Sequence, residues 1–201
     1  MKCKVLLATP EEQIGECAKI CYATKSIEDG GKDITTSLVM GHGHLAALRF
    51  AYMTVQITGI SVPAHVQIVR SGSHMDFMVR SLRYVDINKD GTNFVMPAEL
   101  TDKQQHIMLK QWESSVEAYN ELRADGVKKE DARAVLSTNV STSMNITGNL
   151  QAWWDIFALR MNSRAQKEVR AAITAVYDLA AKEYPQVFTS QQKIKFMEGE
   201  K

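Results

Sequence analysis

Residues 158–170, ALRMNSRAQKEVR, join two helical patterns and decide how the C-terminal half is read. Upstream, Leu150, Trp153, Trp154, Phe157 and Leu159 give a strongly apolar helix that ends near Arg160. Downstream, Ser163 and Gln166 have the spacing of a capping box, which opens a helix running to about Glu183, before Pro185. Arg160 therefore sits at a helix end, where a cation complements the dipole, and spacing alone assigns it nothing more.

A second stretch, Gln67–Tyr84 (QIVRSGSHMDFMVRSLRY), sets Arg70, Arg80 and Arg83 among Ser71, Gly72, Ser73, His74, Ser81 and Tyr84. Guanidinium groups hold phosphate through paired N–H bonds, and glycine and serine let backbone N–H groups and hydroxyls approach the same oxygens. The pattern outlines a small-anion site suited to a nucleotide phosphate. Its competing reading is a solvated basic loop. The net charge of +1 disfavours a long nucleic-acid track.

Between these stretches the chain alternates strand and helix signals. Lys4–Ala8 reads as a strand, and Thr9 with Glu12 as a capping box with Pro10 in the first turn; Ile14, Cys17, Ala18 and Cys21 then share a face of a helix to about Tyr22. After the polar link SIEDGGKD, a short helix passes Leu38 and Met40 and ends at Gly41. From Phe50 to Thr58, Ala51, Met53, Val55 and Ile57 alternate with polar residues as in a half-buried strand, which Gly59 ends. Ser61 caps a helix with Pro63 in its first turn and Val62, Val66 and Val69 along one side, and Gln67 lies one turn before Arg70. Thr101 and Gln104 open a long helix through Met108, Trp112, Val116, Tyr119 and Leu122 to Gly126. A short helix covers Ala132 to Leu136; STNVSTSMNITG (137–148) suits a loop or edge strand, and the tail KIKFMEGEK is expected to fray.

Composition bounds the rest. At 201 residues, 45% apolar and 23% charged, the chain supports one domain spanning 1–201 with a substantial core. No apolar run reaches the length of a signal peptide core or a membrane span, and three cysteines without a CxxC pair read as reduced thiols in the cytoplasm. No metal site is expected. DINKDG (86–91) copies the first half of a calcium loop, but its twelfth position is Pro97 and Glu99 falls two residues late, so a polar turn is the better reading. His42 and His44 alternate without a nearby carboxylate, and Ser81 has no His or acid at an interpretable spacing to activate it as a nucleophile.

Taken together, GHGH from Gly41, ITGIS, QIVR, SLRY, DARAVL and LRMNSRAQKEVR occur in the order and spacing of the flavin-dependent thymidylate synthases, and the chain resembles that family from roughly Met40 to Phe188. ALRMNSRAQKEVR is the strongest single piece. The family's defining motif is Arg-His-Arg, seven residues, then serine; here it reads Arg70-Ser71-Gly72, with Ser81 one residue too far on and Arg49 where the family usually has glutamate. These departures put the standard flavin contacts in question.

The resemblance implies an α+β single domain with a small sheet and several long helices, assembled as a homotetramer. It also implies a pyrimidine deoxynucleoside monophosphate as substrate, FAD as cofactor, and methylenetetrahydrofolate and NADPH as co-substrates. Carried over residue by residue, Gln67, Arg70, Ser81, Arg83, Arg133 and Arg160 match nucleotide-binding positions. Asn149, Gln151 and Asp155 fall in the stretch that meets flavin, as does His44, and Arg70 belongs to the motif that serves both ligands. Arg160 is the catalytic candidate, because C5 of the pyrimidine becomes nucleophilic as negative charge builds on the carbonyl and N3 region. A fixed guanidinium there is worth on the order of 3 kcal/mol. Flavin-dependent methylation of dUMP to dTMP is the expected reaction. The alternatives are hydroxymethylation of dUMP or dCMP, and a non-catalytic nucleotide-binding relative.

Overall fold

In the computed structural model, which describes residues 1–19, 31–88 and 92–199, helices pack on one face of a small antiparallel sheet. Four strands, β1 (Lys2–Ala8), β2 (Tyr52–Ser61), β3 (Met75–Val79) and β4 (Ser141–Asn149), lie in the order β1-β2-β4-β3. The alternation read from Phe50 onward is realised: Met53, Val55 and Ile57 are fully buried, and Met144 and Ile146 on β4 join them. On the opposite face, Thr54 bonds Thr147 at 2.8 Å between hydroxyls, and the Gln56 amide donates to Asn145 Oδ1 at 3.1 Å.

That polar ladder corrects the reading of residues 137–148. After a turn at residues 137–139, Ser141 onward forms neither loop nor edge; β4 is an interior strand, paired on both sides by β2 and β3. Hydroxyl and amide side chains that argue for a loop by propensity are satisfied across the ladder, and alternate residues fill the core. Strand β3, inside the arginine-rich stretch, was not foreseen. Gly59 does not end β2 either: at φ +73° it sits where the register shifts between Thr58 and Ile60, so it serves as a bulge.

The helices are α1 (Glu12–Lys19), α2 (Gly31–Thr36), α3 (Val62–Val69), α4 (Asp102–Ala124), α5 (Lys129–Ala132), α6 (Leu150–Arg160), α7 (Lys167–Glu183) and α8 (Ser190–Glu198). A π-helical turn at Ser37–Gly41 extends α2, and 3-10 turns cover Leu45–Phe50 and Arg133–Val135. Cys21, Tyr22, most of the polar link and the last three residues of DINKDG lie outside the described residues.

Helix α7 packs on β1, β2, α3 and α6. Aromatic rings from α6 to α8 fill the space between: Phe157 meets Tyr177 at 5.0 Å and Phe188 at 5.2 Å, and Trp154 meets Phe196 edge-on at 5.0 Å. Burial of Phe196 overturns the expected fraying, because α8, capped by Thr189, docks on this cluster.

Three further expectations change. The Thr9 hydroxyl accepts from the Tyr52 N–H at 3.0 Å, tying β1 to β2 instead of capping α1. The buried face of α3 is Ala64 and Ile68, with Val66 exposed, because α7 covers the former side. Helix α7 starts at Lys167 without a side-chain cap, and the turn before it closes on Asn162, whose Oδ1 accepts from the Arg164 N–H at 2.8 Å. Ser61 does cap α3, accepting from Ala64 N–H at 3.2 Å, and Thr101 with Gln104 does form the capping box of α4.

Candidate functional site

The ends of α3 and α6 meet. Arg160, last residue of α6, donates from Nε to Ser71 Oγ at 2.6 Å and from Nη2 to the Gln67 carbonyl at 3.1 Å. Ser71 in turn donates to the same carbonyl at 2.7 Å, and the Gln67 amide reaches Gln166. A helix C-terminus offers unpaired carbonyls, and here one of them holds a guanidinium. Burial, reinforced by the neighbouring Arg70 charge, pulls the Arg160 guanidinium below its ordinary value. Among the described residues no carboxylate pairs with Arg70 or Arg160. Two cations close together without a counter-charge form a place where an anion is stabilised.

Arg83, Arg133 and Ser81 belong to a second set. The Ser81–Tyr84 turn packs through Leu82 on a small cluster of Ile87, Tyr119 and Ala132 beneath α4. Ser81 accepts from the Arg83 N–H at 3.3 Å, Arg83 pairs with Glu130, and Arg133 Nε donates to the Glu130 carbonyl at 3.0 Å. Arg80 donates to Thr92 Oγ1 at 2.8 Å.

The third set is a cleft of about 370 Å³ lined by Arg49, Ser73, His74, Asn149, Gln151, Ala152 and Asp155. Asn149 ends β4 and caps α6, its Oδ1 accepting from Ala152 N–H at 2.9 Å; Gln151 donates to Asp155 Oδ1 at 3.2 Å. His74 has φ +61°, a left-handed conformation rare for a side-chain-bearing residue. Its donors, a guanidinium and carboxamides at the start of α6, suit a polar portion of FAD, and ligand pockets run from about 300 to 1,000 Å³. At about 370 Å³ the cleft stands at the small end of that range.

His44 stands apart, in a cleft of about 220 Å³ with Cys17, Ala18, Leu38, Ala46, Ala47 and Phe50. A larger cleft of about 790 Å³ along α4 contains none of the candidate site residues read from the sequence.

Of the residues carried over as nucleotide-binding, Gln67, Arg70 and Arg160 lie together, whereas Ser81, Arg83 and Arg133 are held by other partners. Sequence reasoning gave Arg49 and Glu130 no role in the site. Ser71 reads from the sequence as part of the arginine-rich anion stretch and as a departure from a motif; its contact with Arg160, distant in sequence, is one that no local pattern announces.

The sequence matches the family described as thymidylate synthase complementing protein over residues 4–186. It is 32% identical over 199 residues to the flavin-dependent thymidylate synthase of Geobacter sulfurreducens, covering 94% of this chain and 85% of that protein. Against the enzyme of the same name from Sulfurisphaera tokodaii, identity is 30% over 169 residues, covering 83% of this chain and 65% of that protein. Against that of Thermococcus onnurineus it is 32% over 174 residues, covering 80% and 70%. A match running from the first strand to beyond the last residue of all three sets places this chain in the flavin-dependent thymidylate synthase family.

Proposed function

We propose that this protein methylates dUMP to dTMP, transferring the one-carbon unit of methylenetetrahydrofolate to C5 of the pyrimidine. The family implies FAD as cofactor, with methylenetetrahydrofolate and NADPH as co-substrates. The observation that carries the reading is the pair of an exposed Arg70 and a half-buried Arg160, near each other and without a carboxylate partner among the described residues. Such a pair suits a nucleotide's phosphate and the charge that develops on its ring.

In this reading Gln67 and Arg70 hold the nucleotide from the end of α3, and Ser81, Arg83 and Arg133 supply further donors. Arg160 stabilises the electron-rich pyrimidine while C5 forms the new carbon–carbon bond, the methylene leaves the folate nitrogen, and the C5 proton departs. Asn149, Gln151, Asp155 and His44 would hold FAD, which in reduced form supplies the hydride that turns the exocyclic methylene into methyl. NADPH, as co-substrate, would supply the reducing equivalents.

The three sets of residues are fixed by different partners within one chain, and the cleft of about 370 Å³ stands at the small end of the range for ligand pockets. Both features support a homotetramer whose active sites combine residues from several subunits. Light scattering tests this: a strict monomer at micromolar concentration contradicts it.

The deciding experiment incubates purified protein with dUMP, methylenetetrahydrofolate, FAD and NADPH and identifies the product by mass spectrometry. dTMP is expected. A 5-hydroxymethyl product from dUMP or dCMP indicates that water intercepts the methylene adduct. Absence of product while dUMP still binds indicates a nucleotide-binding relative without turnover.

A further inference from the structure

The contact between Ser71 and Arg160 closes a ring of hydrogen bonds: Arg160 Nε to Ser71 Oγ at 2.6 Å, Ser71 Oγ to the Gln67 carbonyl at 2.7 Å, and Arg160 Nη2 to that carbonyl at 3.1 Å. A serine hydroxyl has one proton. Donated to the carbonyl, it leaves the oxygen lone pairs facing Nε–H, so the hydroxyl has a single orientation that satisfies both partners. Of the five N–H donors of the guanidinium, the ring engages one on Nε and one on Nη2. The remaining three, two of them on Nη1, are left for another acceptor. The plane of the guanidinium is thereby fixed from one edge by the last turn of α3.

We infer that Ser71 is the positioning residue for Arg160, holding the guanidinium so that its Nη1 edge faces the nucleotide. This inference rests on the role proposed above for Arg160. It gives Ser71, which stands in place of the family's usual histidine, a task of its own. Without the hydroxyl, Nε–H loses its acceptor and the flexible arginine stem gains rotamers that must be frozen when substrate binds. A group fixed in advance costs no reorganisation as charge develops, so the loss falls mainly on turnover.

The test compares Ser71→Ala, Ser71→Thr, Arg160→Ala and the double variant Ser71→Ala/Arg160→Ala, each checked for an unchanged urea midpoint. The cycle is read in kcat and, on flavin-free protein, in dUMP affinity by calorimetry, which does not require turnover. Ser71→Ala is expected to lower kcat by about tenfold or more and dUMP affinity by only about threefold, with Ser71→Thr restoring both. The double variant is expected to equal Arg160→Ala, because a residue acting through Arg160 has nothing left to position. Additive losses would overturn the inference, as would wild-type turnover in Ser71→Ala while Arg160→Ala is impaired. If Arg160→Ala itself matches wild type in turnover and dUMP affinity, the reading of the site fails, and the positioning role with it. If the protein lacks turnover altogether, the affinity cycle decides.

Discussion

One carboxylate oxygen of Glu130 accepts from Arg83 twice, from Nε at 2.9 Å and from Nη2 at 2.8 Å. In the proposed function Arg83 serves the nucleotide, so Glu130 occupies donors that a phosphate would use. Glu130→Gln should release them and tighten dUMP binding by about two- to fivefold, since a pair this exposed contributes up to about 1 kcal/mol. Calorimetry should show the gain shrinking with added salt and absent for deoxyuridine. Weaker dUMP binding would mean that Glu130 orients Arg83 and does not compete for it.

Glu168 has a structural task of similar form. Its two carboxylate oxygens take the Ser61 N–H and the Ser61 hydroxyl, each at 2.7 Å, and Ser61 is fully buried. The contact pins α7 to the junction of β2 and α3, and so sets where Gln67 and Arg70 emerge. Glu168→Ala should lower the unfolding free energy by about 3 kcal/mol, because bonds to a charged group are lost and a buried donor is left unpaired. Lys167→Ala, which breaks only the exposed pair with Glu99, should stay within about 0.5 kcal/mol. Equal urea midpoints for the two variants would refute the assignment.

The sequence carried α3, α4, α6, α7 and the core alternation of β2, because Met53, Val55 and Ile57 or Trp153 and Phe157 report burial through their own spacing. Strand β4 was hidden because its polar side chains are satisfied by Thr54 and Gln56, which lie some ninety positions away in the chain. The site divides in the same way. Arg160 stands out only through its family register, whereas the contacts of Ser71 and Glu130 with arginines run across the fold.

Alkaline pH probes the junction of α7 and β2. Tyr184 is fully buried and donates its hydroxyl to the Tyr52 carbonyl at 3.1 Å, and burial pushes the phenol up to about 12. A phenol raised above its unfolded value, near 10, contributes stability that is fully present below about pH 10. As pH rises the unfolded chain ionises first, so that contribution is lost progressively until the folded phenol titrates at about 12. Urea midpoints should therefore fall between pH 10 and 12 and fall less steeply in Tyr184→Phe. Tyr177, also raised by burial, keeps part of the slope in that variant. Identical slopes would exclude Tyr184 as a source.

The altered motif can be tested by restoring the family's pair, Ser71→His with Gly72→Arg, and the structure sets a condition on that experiment. A Cβ at Gly72 would clash with Phe77 Cζ and lie 3.2 Å from Met75 Sδ, so any side chain there must displace the Phe77 ring. Overpacking of this kind costs about 1 to 3 kcal/mol. The restored pair alone should therefore lower the urea midpoint, and the arginine will reach the cleft lined by Ser73 and His74 only if the ring gives way. Adding Phe77→Val removes the obstacle. The triple variant should recover stability and bind FAD more tightly than the unaltered protein, measured by quenching of flavin fluorescence. Turnover should not rise in step, because Ser71→His also removes the hydroxyl that holds Arg160. FAD affinity no better than that of the unaltered protein, in a triple variant that folds, would show that the extra residue before Ser81 has rebuilt the loop for a different contact.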